Sequence, residues 1–321
     1  MKLSNNDLLK YLFGYVFTEE KNGYIFPKRF TDKQFKIAYD RGFFPRPNST
    51  SSMFVEFYTT ATEIKFDYVV FKGSSKEYFS LDVLEDGINT FSYHNDLAIE
   101  EGTMVIPLKK QGERRVTLYL PNLVGVGIKN FEINGKIKPF TRKHKLLALG
   151  DSITQGYATN HPYLTYVNMF AYNLDACVLN QGIGGDVFYE GNLDENLNFA
   201  PDIITVAYGT NDWSKRQNVK ENADAYFKKL KAIYPTTPIF ALLPIYRGGI
   251  QGDLRNGYSL EDIREQITNC AKKHNVTVIN CKDFVPHHED YFADKTLHPN
   301  ELGFIFYAKG VYEAIKKLLN V

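Results

Sequence analysis

Lys145-Leu146-Leu147-Ala148-Leu149-Gly150-Asp151-Ser152-Ile153-Thr154 is the stretch whose reading decides the fold. An apolar run of strand length ends in Gly-Asp-Ser, so a serine stands where a buried strand opens toward a helix. In a doubly wound sheet, ligands bind at the carboxyl ends of the strands, where N–H groups at a helix start can stabilise an oxyanion. Ser152 therefore stands where a nucleophile belongs.

Outward from that point, residues 144–321 alternate strand and helix patterns, which predicts a parallel sheet with crossover helices. The expected strands are Lys145 to Leu149, Ala176 to Asn180, Ile203 to Tyr208, Ile239 to Leu243 and Val276 to Asn280. The expected helices are Pro162 to Leu174, Glu221 to Tyr234, Leu260 to His274 and Asn300 to Leu319. In the last, Phe304, Tyr307, Val311 and Ile315 recur at helical spacing as a core-facing stripe.

Upstream the pattern differs. Residues 21–140 hold short β-branched and aromatic segments: Met53 to Tyr58, Glu63 to Phe71, Glu77 to Leu84, Thr103 to Pro107, Arg115 to Leu120 and Val124 to Asn134. Turn clusters such as Lys72-Gly73-Ser74-Ser75 and Glu85-Asp86-Gly87 separate them. Such spacing predicts an all-β, jelly-roll-like sandwich as an accessory domain. Residues 1–20 read as an N-terminal helical segment, with a helix over 4–17 capped by Asn5 or Asn6. The linker Lys138 to Lys143 is short and basic, so the two domains are expected to pack together.

Three further segments supply partners for Ser152: Asn180-Gln181-Gly182-Ile183-Gly184-Gly185-Asp186, Tyr208-Gly209-Thr210-Asn211-Asp212 and Asp294-Lys295-Thr296-Leu297-His298-Pro299-Asn300. A serine hydroxyl is a weak nucleophile until a base takes its proton, and histidine suits that task near neutral pH. His298, in a turn before the final helix, is the candidate base; a helix-capping histidine is the bland alternative. The Ser152 N–H, the Gly185 N–H and the Asn211 amide are the candidate oxyanion donors. His287 and His288 have no further histidine or cysteine at ligand spacing, so they read as loop residues rather than a metal site.

These four blocks resemble, in order, the motifs of the SGNH hydrolase superfamily, also called GDSL esterases and lipases, over residues 144–321. The resemblance implies a flavodoxin-like three-layer α/β/α domain, ester hydrolysis through an acyl-enzyme on Ser152, and no metal or organic cofactor. The layout of β-sandwich followed by SGNH domain is similar to that of two-domain carbohydrate esterases that remove acetyl groups from sugars. One departure concerns the acid. The family's acidic residue lies three positions before the histidine, where this chain has Lys295, and Asp294 lies four before. Asp294 is the expected orienting partner of His298, with a backbone carbonyl as the alternative.

Asp151, Asp186 and Asp212 each adjoin a candidate site residue, and their expected work is to hold turn backbone N–H groups. Trp213, the single tryptophan, and Tyr246 and Arg247 beyond the fourth strand are candidate substrate-binding residues. Trp213 equally reads as an anchor of its loop. The loops near the blocks are rich in Asn, Tyr, Lys and Asp, which fits a short acyl group on a polar carrier better than a long lipid chain.

Composition narrows the classes. Lys plus Arg number 38 against 37 Asp plus Glu, so no global field favours nucleic acid or an anionic membrane surface. Three scattered cysteines, no signal-like leader and no membrane-length apolar run make cytoplasmic the expected location. The expected function is a serine esterase that removes O-acetyl groups from a small-molecule or oligosaccharide substrate. The rivals are a lysophospholipase or thioesterase, told apart by chain length, and a carbohydrate-binding protein with an inactive esterase domain.

Overall fold

The computed structural model describes residues 1–76, 78–95 and 100–319. In the first domain the elements run α1 (Asn5–Leu8), β1 (Leu12–Phe13), β2 (Phe17–Lys21), β3 (Tyr24–Lys28), α2 (Asp32–Asp40), β4 (Phe54–Thr59), β5 (Glu63–Lys72) and β6 (Phe79–Glu85). They continue with β7 (Ile88–Asn95), β8 (Glu101–Pro107), β9 (Arg114–Tyr119), β10 (Val124–Ile133) and β11 (Ile137–Pro139). One antiparallel sheet has the order β1-β4-β9-β6-β7 with β11 added beside β4, and the other has the order β2-β3-β10-β5-β8. Alternation along β5 and β10 turns Ile64, Phe66, Tyr68, Val126 and Ile128 inward against Val55, Phe57, Val83 and Leu118 of the facing sheet.

The second domain continues with β12 (His144–Gly150), α3 (Ser152–Gln155), α4 (Tyr166–Asn173), β13 (Ala176–Gly182), β14 (Ile203–Ala207) and α5 (Thr210–Ser214). It ends with α6 (Val219–Ile233), β15 (Ile239–Leu242), α7 (Leu260–Lys273), β16 (Thr277–Ile279) and α8 (Glu301–Leu319). All five strands are parallel, in the order β13-β12-β14-β15-β16. The chain winds outward in both directions from β12, so the switch of strand order falls between β12 and β14, where such sheets bind ligands. Period-two alternation divides the strand side chains between two helical layers. Leu146, Ala148, Val178 and Phe240 pack with Phe170, Phe304 and Val311 of α4 and α8. Leu147, Leu149, Leu179 and Val206 pack with Tyr226, Phe227 and Ile263 of α6 and α7.

Three expectations for the first domain differ from the structure. The N-terminal segment is helical only at Asn5–Leu8, capped by Ser4 rather than Asn5 or Asn6, and the chain then enters both sheets through β1 and β2. Gly14, at φ +84°, sits against the backbone of Ser52 and Met53, a close approach that a continuing helix would forbid. Five strands, β1 to β3, β7 and β11, were not anticipated, and neither was α2, a helix in a stretch read as all β. The anticipated strand from Glu77 starts at Phe79; Glu77 itself lies outside the described residues.

The domains are packed together. Arg142 of the linker is buried and donates from Nε and Nη2 to the two carboxylate oxygens of Glu56, at 2.8 and 2.6 Å. Phe54, Leu84 and Tyr119 of the sandwich join the apolar layer that covers the parallel sheet. No helix among the described residues is long and apolar enough to cross a membrane.

Candidate active site

Each of the three strands nearest the switch point ends in one of the predicted segments. After β12, Asp151 caps α3 by accepting the Ile153 N–H at 3.0 Å, which makes Ser152 the first helical residue. Its N–H has no carbonyl within the helix to bond and is free for a ligand. After β13, Gly182 crosses the Thr154–Gln155 backbone so closely that a Cβ there would lie 2.4 Å from Gln155 N. Gly185 follows at φ +80°, a left-handed turn that glycine enters without strain. After β14, Asn211 donates from Nδ2 to Asp186 O at 3.1 Å and to Asp151 Oδ2 at 3.2 Å, which ties the three turns together.

The fourth segment approaches from the turn before α8. Ser152 Oγ lies 2.9 Å from His298 Nε2, and His298 Nδ1 lies 2.6 Å from Asp294 Oδ2. The second Asp294 oxygen accepts three backbone N–H groups, from Thr296 at 3.1 Å, Leu297 at 2.7 Å and His298 at 3.0 Å. Burial pushes this carboxyl up, but the bonds from His298 and from the three N–H groups outweigh it and hold Asp294 below the usual carboxylate range. A carboxylate so held fixes the imidazole tautomer with Nε2 facing the serine and stabilises an imidazolium.

Behind the candidate oxyanion donors lie the other three aspartates. Asp151 accepts from Ile153 N, Asp186 from Val187 N and Asp212 from Phe188 N, the backbone-holding work expected of them. Their environments differ in compensation. Burial and the charges of Asp212 and Asp186 push the Asp151 carboxyl up to about 7. Burial does the same to Asp212, also to about 7, and its Oδ2 has no hydrogen-bond partner. Burial raises Asp186 as well, against the pull of Arg41, whose Nη1 lies 2.9 Å from Oδ1.

Ser152, Gly185, Asn211 and His298 open onto one cleft of about 230 Å³. The other walls were not legible as site residues: Arg46, Ser74 and Ser75 come from the first domain, and Gln155 and Tyr157 from the turn after Ser152. The Tyr157 ring is 4.7 Å from the His298 ring. Trp213, Tyr246 and Arg247 are not among the residues that line it, although Arg247 lies close enough to feel the charges of Asp294 and Asp151. Trp213 is buried, donates to Tyr258 O at 2.9 Å, and has the Arg247 and Arg255 guanidinium groups each 5.3 Å from its ring. Tyr246 stacks on His287 at 4.1 Å. These three make contacts with neighbouring loops: Trp213 with Tyr258, Arg247 and Arg255, and Tyr246 with His287. A larger groove of about 740 Å³ between α6 and α7 contains none of the four segments.

The profile of the GDSL-like lipase/acylhydrolase family matches residues 148–304, a span that contains Ser152, Gly185, Asn211, Asp294 and His298. The second domain is a GDSL-like lipase/acylhydrolase domain of the SGNH superfamily. Solved structures extend the likeness in fold beyond the SGNH domain to the two-domain layout. The salicylyl-acyltransferase SsfX3 from a tetracycline biosynthetic pathway is 19% identical, with a TM-score of 0.81 over 99% of this chain and 97% of that one. A family two carbohydrate esterase from Cellvibrio japonicus is 17% identical, with a TM-score of 0.67 over 100% and 97%. The acetyl xylan esterase Est2A from the rumen bacterium Butyrivibrio proteoclasticus is 14% identical, with a TM-score of 0.67 over 100% and 99%. No curated protein matches the sequence.

Proposed function

We propose that the protein is a serine esterase that removes short acyl groups, acetyl foremost, from a carbohydrate or similarly polar alcohol. The observation that carries this reading is the continuous relay Asp294–His298–Ser152, with contacts of 2.6 and 2.9 Å, opening onto a small cleft whose walls include Arg46, Ser74, Ser75 and Gln155. In the proposed reaction the Ser152 oxygen attacks the acyl carbon while His298 Nε2 takes its proton. The Ser152 N–H and the Gly185 N–H receive the developing oxyanion, joined by the Asn211 amide when it gives up one of its two bonds, to Asp186 O or to Asp151 Oδ2. His298 returns the proton to the departing alcohol oxygen, and a water activated by the same imidazole then frees the acyl group as its acid.

A cleft of about 230 Å³ with serines, an arginine and a tyrosine on its walls suits a small acyl group on a hydroxyl-rich carrier better than a long alkyl chain. One structural neighbour is named an acetyl xylan esterase and another a family two carbohydrate esterase, which agrees with this reading. One alternative has its own support. The likeness to a salicylyl-acyltransferase spans nearly the whole chain, and transfer of the acyl group to an alcohol instead of water would use the same acyl-enzyme.

Hydrolysis of aryl acetate, butyrate and octanoate by wild type and by Ser152→Ala, with chelator present, tests the proposal. The expected result is acetate preference that Ser152→Ala abolishes. Octanoate preference would move the substrate toward lipids. Equal inactivity of both proteins would sink the esterase reading. Product partition between acetate and acetylated glycerol, measured with added glycerol, separates hydrolysis from transfer.

A further inference from the structure

We propose that the alcohol portion of the substrate carries a carboxylate, and that Arg46 of the first domain binds it. The inference rests on the deacetylation reading: an acetyl group ends in a methyl with no place for a charge, so a charged group must belong to the alcohol.

Among the described residues Arg46 is the one arginine or lysine that lines the cleft, and no aspartate or glutamate among them lines it. Among the described residues no carboxylate pairs with its guanidinium, whose neighbour is the Phe43 ring at 5.5 Å. Each nearby acid is already engaged or turned away. Asp186 is bound to Arg41, Asp294 to His298, and Asp151 and Asp212 are buried behind the oxyanion donors. A second cation reinforces the first. Lys215 Nζ donates to Gly185 O, and a Cβ built on Gly185 would lie 3.7 Å from Lys215 Nζ and 4.0 Å from Arg46 Nη1. Two cations thus flank the glycine whose N–H faces the reacting carbonyl. Burial pushes the Lys215 ammonium down, Asp186 opposes this, and the charges of Arg46 and Arg41 add to it; an incoming anion would relieve that repulsion.

The placement of Arg46 is built into the fold. Its carbonyl accepts from Arg29 Nη2 at 3.1 Å, and the same guanidinium donates from Nη1 to Asn180 O and Gly182 O, both at 2.8 Å. Arg29 is fully buried with no carboxylate on it, a costly arrangement that fixes the Arg46 turn against the strand leading to Gly185. A guanidinium is a planar fork matched to carboxylate geometry. A neutral sugar in this cleft would cover Arg46 and leave its charge unanswered.

Calorimetry in the Ser152→Ala background, where the ester is not consumed, tests the proposal without relying on turnover. The probes are an O-acetylated methyl glucuronoside and the same acetate with a carboxamide in place of the carboxylate. We expect the carboxylate to bind about tenfold or more tightly, with a preference that weakens at high salt. In Ser152→Ala/Arg46→Gln the preference falls to about twofold or less, and Arg46→Lys restores part of it. Equal affinity for the two probes, binding of neither, or a preference that survives Arg46→Gln overturns the proposal. A carboxylate preference seen with monophenyl succinate but not with the glucuronoside overturns the assignment to the alcohol side. Turnover of the glucuronoside by wild type but not by Ser152→Ala is read separately. Its failure would remove the serine-esterase reading while the calorimetry still decided whether Arg46 selects a carboxylate.

Discussion

Asp294 reaches His298 across four positions, with Oδ2 2.6 Å from Nδ1, because Lys295 between them takes φ +67°. The left-handed residue turns the chain back on itself and absorbs the one-residue offset from the family's usual spacing. Its cost in a residue with a Cβ is met by the three N–H bonds that converge on Asp294 Oδ1.

Replacing Asp294 with alanine should lower kcat on an aryl acetate by roughly a hundredfold or more while KM moves little, because the base loses its fixed tautomer rather than the substrate its contacts. Steady-state kinetics decide this. Activity within a fewfold of wild type would remove Asp294 from the machinery.

Asn211→Ala should lower kcat by about a hundred- to a thousandfold through loss of one oxyanion donor. Labelling of Ser152 by a fluorophosphonate should also slow, since the phosphonyl oxygen uses the same donors. Undiminished labelling would place Asn211 outside the oxyanion site and leave it the role of tying Asp151 to Asp186.

Asp212 and Asp294 should give stability opposite pH dependences. Asp212 is raised from the ordinary carboxylate value to about 7, so the folded state holds its proton more tightly than the unfolded chain and stability falls as pH rises from about 4 to about 7. Asp294 is depressed, so its contribution is present above about pH 4 and is lost as pH falls below that. Asp212→Asn keeps an acceptor for Phe188 N and should stabilise the protein at pH 8 by on the order of 2 kcal/mol relative to pH 5. Thermal melts of the two proteins from pH 4 to 9 check this. Parallel curves would show that the buried carboxyl is not titrating.

Arg29→Met should cost roughly 2–4 kcal/mol in folding stability, since the carbonyls of Ser49, Asn180 and Gly182 each lose a buried charged donor, and Arg46 O keeps only the Ser49 N–H. Because these groups hold the Arg46 turn to the strand before Gly185, kcat/KM should fall too. Denaturant unfolding and kinetics on the same preparation test both; a destabilised variant with wild-type kinetics would confine Arg29 to a folding role.

The parallel sheet was legible because its strands are unbroken apolar runs between amphipathic helices, and all five anticipated strands occur within two residues of their expected ends. The sandwich was read less fully. The pair β2 and β3 is joined by Asn22-Gly23, both at positive φ, a hairpin signal that was available but is masked by Pro27 within the strand. Helix α2 carried a signal as well, a capping box between Thr31 and Gln34. Strand β7 gave little to read, since none of its side chains is buried and its residues are largely polar.

Residue order alone placed Ser152, Gly185, Asn211 and His298 in turns at strand and helix ends, because short-range periodicity reports where the chain is buried and where it turns. It could not say that Arg46, Ser74 and Ser75 complete the cleft, or that Trp213 is buried and does not line it. Those arrangements depend on contacts such as Arg29 to Asn180, separated by 151 residues, which form only when the two domains dock. No local pattern encodes such a contact. Burial of the shared apolar face and the hydrogen-bonding demands of buried polar groups select it.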